Sequence, residues 1–326
     1  MILSAAKASE QLVRFDLPPW LWPTFLAAVV VMLLVDLLVL HRDAHAISLR
    51  EAAVSSAVWI SLGLGFTAVV WVVLGSDAGV QYLTGYVIEK SLSVDNVFVW
   101  AVVFGYFGVP GKYQHRVLFW GIFGALVLRA IFIFAGVALL ESLDWLLFVF
   151  GGLLLFTAYR VATHEPGEIH PEHNPALRLV RRVVPVSSDF DGQKLFTVQN
   201  AKRVATPLFV VLVLIESTDV VFAVDSVPAI LAVSRDPFVV FSSNAMAILG
   251  LRALYFLLAG VRDRLVYINQ GLGVILAFVG VKMIVSEWYH VPTWASLSVI
   301  TIALAVTVVV SLRHDPTEAP VADITR

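Results

Sequence analysis

Two short stretches hold most of the chain's capacity for chemistry: Ile215–Ser226, IESTDVVFAVDS, and Glu89–Asn96, EKSLSVDN. The first places Glu216, Asp219 and Asp225 inside the apolar run Pro207–Val233. The second places Glu89, Asp95 and Asn96 inside Val80–Gly108. Carboxylate, amide, hydroxyl and carbonyl oxygens are hard ligands, suited to Mn²⁺, Mg²⁺ or Ca²⁺. Asp95, Asn96, Glu216 and Asp219 are the first candidates, and Glu89, Asp225, Ser93, Ser217 and Asn244 are donors of second rank. One carboxylate in hydrocarbon costs roughly 2.5–3.5 kcal/mol on insertion scales, so several at membrane depth mark a site or a pathway. The chain has no cysteine, which removes disulfides, zinc–thiolate sites and thiol redox chemistry. No nucleophile–histidine–acid set, phosphate loop or dinucleotide fingerprint occurs, so neither an enzyme nor a resident cofactor is expected.

A plainer reading competes with this one. The buried acids could pair with Arg129 and Arg252 as links between helices, and for one such pair the two readings weigh equally. Two clusters at corresponding places favour function, with both arginines acting as counter-charges rather than ligands. Asp36 is either a pathway residue or a cap for His41-Arg42. Lys90 and Lys282 have stems long enough to snorkel to the outer surface. The stretch His164–His173 could collect metal, although Pro-rich acidic loops are usually only solvated, and Asp189–Gly192 reads as a turn.

The elements that must position these residues are helices in a bilayer. Apolar residues make up 59% of the 326 and charged ones 14%, with a mean hydropathy of +0.88. Apolar runs exceed the length of a barrel strand, so helices are the spanning form. Nine spans are expected: 20–40, 52–74, 80–108, 116–138, 143–162, 207–233, 238–260, 265–285 and 293–312. Together they make one membrane domain over 20–312, with a segment 1–19 before it, a polar loop over 163–206 and a tail over 313–326. Residues 1–19 lack the pattern of a cleaved signal peptide. Lys7, Arg14 and Arg235 fall on one side, and fifteen basic residues fall on the other. The positive-inside bias therefore predicts an outside N-terminus and a cytoplasmic loop and C-terminus, in an inner membrane. The bilayer is the expected partner. A net charge of −2 without a basic helix argues against nucleic acid, and no protein partner can be named.

The clusters repeat. Ser93-Val-Asp95-Asn-Val-Phe98 matches Ser217-Thr-Asp219-Val-Val-Phe222, Leu128-Arg129-Ala130 matches Leu251-Arg252-Ala253, and Phe156 with Arg160 matches Phe278 with Lys282. Each copy holds three spans, 80–162 and 207–285, so an odd count inverts one copy relative to the other. That is the layout of many secondary transporters, with the site at the repeat interface. The expected fold is an all-α membrane protein of about nine transmembrane helices containing two inverted three-helix repeats, with Asp95 and Asp219 as a twofold-related pair. At 100° per residue Asp225 lies about 120° from Asp219, and Glu89 likewise from Asp95. This spread predicts that spans 3 and 6 are kinked or unwound, with Pro228 helping in the latter.

The motifs VDLLVLHRDAHAIS (35–48), EKSLSVDNVFVW (89–100), IESTDVVFAVDSVPAIL (215–231) and SRDPFVVFSSNAMAILGLRALYFLLAG (234–260) resemble the TerC family of integral membrane proteins, in its Alx-like branch. The resemblance covers nearly the whole chain. It implies a relation to LysE-type exporters and a role in manganese export or metal homeostasis, with a historical link to tellurium resistance. By position, the implied ion-site residues are Glu89, Asp95, Asn96, Glu216, Asp219 and Asp225. The expected function is export of a divalent cation, Mn²⁺ first, by alternating access with exchange for protons. The alternative is a non-transporting accessory protein that helps to load or assemble other proteins.

Overall fold

Helix ends fall where the chain supplies caps. Ser48 accepts from Glu51 N at 3.3 Å and opens α2 (Leu49–Leu74), with Glu51 in the first turn. α1 (Leu21–Val35) precedes it. Gly75 takes φ +93°, a value glycine adopts without strain, and turns α2 into α3 (Ser76–Tyr106). α4 (Gly111–Ser142) and α5 (Leu146–Thr163) follow. Pro207 stands in the first turn of α6 (Pro207–Leu231), where its missing N–H costs nothing. Asp236 caps α7 (Pro237–Leu249) by accepting from Phe238 N at 2.9 Å and Val239 N at 3.1 Å. α8 (Leu251–Ala259), α9 (Ile268–Val285) and α10 (Thr293–Arg313) complete the set.

This computed structural model describes residues 15–36, 48–143, 145–163, 182, 184–187, 189–199, 202–259, 267–286, 288–289 and 291–313, without the side chains of Asp95, Glu141, Ala259, Ile268, Asn269 and Leu312. The loop segment His164–His173 lies outside the described residues. α3 is the hub of the packing, touching α2, α6, α7, α8 and α10. α4 packs on α6 and α7, and α5 lies along α9. On Gly280 of α9 a Cβ would stand 2.9 Å from the Gly151 carbonyl oxygen of α5. One on Gly273 would stand 3.1 Å from the Ala158 carbonyl oxygen, so these two helices run antiparallel in close contact.

Polarity is distributed inside out. Val72 is 83% exposed and Val221 64%, whereas Glu89 is 0% and Arg129 1% exposed. Among the described residues four helices are long and apolar enough to cross a membrane alone: α2, α4, α6 and α10. The pair α7 and α8 passes the same test together, bent by 41° at Gly250 as a broken span or a re-entrant loop. α1, α5 and α9 are apolar but shorter. α3 has the length, and its mid-helix charges lower its hydropathy.

Several expectations change here. α3 and α6 are continuous helices, and Pro228 sits one turn from the end of α6 without breaking it. The wide angular spread of the acids is met by different neighbouring helices rather than by unwinding. The break falls instead at Gly250, where a Cβ would meet Trp59 Cβ at 2.8 Å and Lys90 Nζ at 3.0 Å. Lys90 does not snorkel: partly buried, it donates to the Ala247 carbonyl at 3.1 Å, satisfying an acceptor that the interrupted helix releases. Asp36 pairs with Arg252 of α8; His41 and Arg42, the expected partners of a cap, lie outside the described residues. Between α5 and α6 the chain also forms a two-stranded antiparallel sheet, β1 (Phe196–Gln199) with β2 (Lys202–Ala205), which the helical reading omitted. The turn at Asp189–Gly192 precedes it, with Gly192 at φ +57°. Thr197 and Lys194 donate to the Asp191 carboxylate at 2.7 and 3.0 Å, and these bonds hold that carboxyl below its ordinary pKa.

The α5–α9 contact yields a prediction. Gly280→Ala should lower stability by roughly 1–3 kcal/mol, as overpacking against backbone does. Gly152→Ala, with nothing within 4 Å of the added carbon, should be neutral or stabilising. Thermal unfolding of the two variants in detergent checks the contrast.

Candidate functional site

Arg129 is the point at which α3, α4 and α6 converge. It is fully buried on α4, and its guanidinium reaches across both neighbouring helices. On α3, Glu89, Ser93 and Asn96 follow a spacing of four and then three residues, which puts them on one face. On α6, Asp219 and Ser226 are seven apart, two turns along the facing side. Arg129 Nη1 donates to Glu89 Oε1 and, at 2.8 Å, to Ser226 Oγ. Nη2 donates to Asp219 Oδ1 at 3.3 Å and Nε to Asp219 Oδ2 at 3.5 Å. Asn96 Nδ2 donates to Asp219 Oδ1 at 3.3 Å, and Ser93 Oγ to Glu89 Oε1 at 3.3 Å. One cation thus faces two carboxylates. Glu89 Oε2 is buried without a hydrogen-bond partner among the described residues.

Glu216, one turn before Asp219, belongs to a different environment. Its half-buried carboxylate lies over Gly124 of α4, where any Cβ would collide with it. Neighbouring Gly121 admits Ile215 at 3.2 Å in the same way. Glu216 Oε2 also has no hydrogen-bond partner among the described residues. Asp225 turns toward α5, where Thr157 Oγ1 donates to its Oδ1 at 2.9 Å. Beside it is a cavity of about 60 Å³ whose lining includes Asn96, Arg129, Thr157, Phe222, Asp225 and Ser226. A space of that size holds on the order of a few waters.

Of the six expected site residues, Glu89, Asn96 and Asp219 therefore meet at Arg129. Glu216 and Asp225 lie along the same helix in separate niches. Asp95 lies on α3, and its side chain is outside the described residues. Among the described residues no three acids or histidines gather into one cage, so the carboxylates are strung along the α3–α6 seam. Of the remaining second-rank donors, Ser93 joins the network, Ser217 donates to its own helix at Leu214 O, and Asn244 is buried with both amide atoms unpartnered among the described residues. Sequence reasoning missed Gly124, Thr157 and Ser226. The spacing Gly121-x-x-Gly124 in an apolar helix was a usable signal of close approach. Thr157 had no signal beyond being a hydroxyl in an apolar span.

A profile of the family described as "Integral membrane protein TerC family" matches residues 74–318. A membrane protein of Myxococcus xanthus is 50% identical over 302 residues, 92% of this chain and 95% of that protein. A protein of Escherichia coli strain K12, named Alx and described provisionally as a membrane-bound redox modulator, is 46% identical over 310 residues, 91% of this chain and 97% of its own. A membrane protein of Rickettsia bellii is 36% identical over 280 residues, 85% of this chain and 92% of its own. No solved structure matches.

Removing Arg129 should be costly, because it strands two buried acids. Arg129→Gln is expected to lose roughly 3–5 kcal/mol of stability. Adding Glu89→Gln to it should recover part of the loss, since one stranded charge goes with it. Chemical denaturation of the two variants in detergent measures the difference.

Proposed function

The chain belongs to the TerC family of integral membrane proteins, and from there we propose that it exports a divalent cation, Mn²⁺ first, across the inner membrane. The observation that carries the reading is the α3–α6 seam. There, Glu89 Oε2 and Glu216 Oε2 have no hydrogen-bond partner among the described residues, and a cavity on the same seam is lined by Asn96, Arg129 and Asp225. Hard oxygens in a poorly solvated place suit a hard divalent ion. Ion-site residues in this reading are Glu89, Asp95, Asn96, Glu216, Asp219 and Asp225. Acids that ligate a metal must give up any proton they hold, which makes proton exchange the simplest coupling.

Packing supports alternating access between inverted repeats. Exchanging α3 with α6, α4 with α7 and α8, and α5 with α9 carries the α3–α7 packing onto α6–α4. The same exchange carries the Gly151–Gly280 approach onto Gly273–Ala158, residues that the repeat aligns. In this reading all nine helical stretches cross the bilayer, the shorter ones included. Trp145, Trp288, Tyr289 and Trp294 stand exposed at the start of α5, the end of α9 and the start of α10, an aromatic belt for the outer interface.

A second reading, an accessory protein that moves no ion, draws on the description of Alx as a redox modulator. With no cysteine, this chain would have to act on redox balance without thiols of its own.

Ion flux in proteoliposomes, across a panel of divalent cations, separates the two. The export reading expects Mn²⁺ movement by the wild type and its loss in folded Asp95→Asn, Glu216→Gln and Asp219→Asn variants. No flux for any ion would favour the accessory role. A reporter fused at Asp315 is expected to be active only in its cytoplasmic form.

A further inference from the structure

Arg129 does more than balance charge. We propose that its guanidinium is a tethered cation, which fills the ion site at rest and is displaced when a divalent cation binds. This rests on the export reading of the same seam. Among the described residues its hydrogen-bond partners are all side-chain oxygens: Glu89 Oε1, Ser226 Oγ at 2.8 Å and both carboxylate oxygens of Asp219 at 3.3 and 3.5 Å. Two carboxylates and a hydroxyl, with Asn96 and Ser93 bonded to the same acids, form the donor set a hard cation requires. A structural counter-ion would leave these acids satisfied. Here Glu89, 0% exposed, keeps Oε2 unpartnered among the described residues, and two acids share a single positive charge. A second cation is the missing complement.

The displaced side chain also has somewhere to go. Arg129 forms part of the wall of the 60 Å³ cavity, and so do Asp225 and Thr157. An arginine stem is long and flexible, and a guanidinium withdrawn into that space would meet the Asp225 carboxylate, oriented by Thr157 Oγ1 at 2.9 Å. The incoming divalent ion would then hold Glu89 and Asp219. Return of Arg129 would expel it. A built-in competitor keeps the site from binding its cargo too tightly to release it, a condition every transport site must meet.

The test is Mn²⁺ binding to the purified full chain in detergent, read from loss of the free Mn²⁺ electron-spin-resonance signal, beside Mn²⁺ flux in proteoliposomes. A site blocked for most of the time binds more weakly by the fraction that is open, so Arg129→Gln is expected to tighten Mn²⁺ binding by about tenfold or more. Its flux should fall, because nothing ejects the ion. If Arg129→Gln does not fold, Arg129→Gln with Glu89→Gln takes its place and should bind Mn²⁺ more tightly than Glu89→Gln alone. Asp225→Asn, which removes the resting place, should weaken Mn²⁺ binding in the wild type and leave it unchanged in the Arg129→Gln background; equal weakening in both would make Asp225 a ligand of the ion and not the resting place. Unchanged or weaker binding after loss of the guanidinium overturns the tethered cation, even where wild-type flux upholds export. Tighter binding in a protein that moves no ion would keep the tethered cation and sink export.

Discussion

A charge cannot be left alone in hydrocarbon, and that constraint shapes the interior of this molecule. Arg129 meets it by drawing two acids and a serine from two other helices, so α3, α4 and α6 must converge where they do. Such a network is expensive to break, and its acids cannot drift to lipid. Arg252, in a Leu-Arg-Ala triplet like that of Arg129, pairs with Asp36 and ties α8 to α1 in the same manner. The two arginines thus fix the bundle at two depths of the chain.

The same constraint sorts the acids into kinds. Glu89 and Asp219 are held by the guanidinium, Asp225 by one hydroxyl, and Glu216 by the room that Gly124 leaves for it. Continuous helices carry all four, so their relative positions are as rigid as the backbone. Among the described residues the α7–α8 break at Gly250 interrupts a long apolar helix, and Lys90 of α3 attends it. The residue adjacent to Glu89 therefore holds a bend beside the α3–α6 seam.

Much of the fold was legible because a bilayer demands long apolar runs. Helices form along the expected apolar runs, four of them long enough to cross a membrane alone, and the punctuation at Ser48, Gly75, Pro207 and Asp236 follows local rules. The pairing of Arg129 with acids was also legible as an option, since buried charges seek partners. What stayed hidden depends on angles between helices. Nothing in one sequence says that α5 turns Thr157 toward Asp225, or that α4 presents Gly124 to Glu216. The expected unwinding of α3 and α6 failed for the same reason. It assumed that all acids serve one point, whereas α4 receives Glu89, Asp219 and Glu216 at two places and α5 receives Asp225. The small hairpin at 196–205 escaped because two four-residue strands leave too short a pattern in a polar loop.

The most direct test of the account is to locate the ion. Crystals of the wild-type protein soaked in Mn²⁺, with anomalous differences collected at the manganese edge, would place it without reference to activity. The account predicts a peak on the α3–α6 seam, roughly 2.0–2.6 Å from carboxylate oxygens of Glu89 and Asp219, with the guanidinium of Arg129 moved toward Asp225. A peak confined to surface carboxylates, with Arg129 still between Glu89 and Asp219, would contradict it.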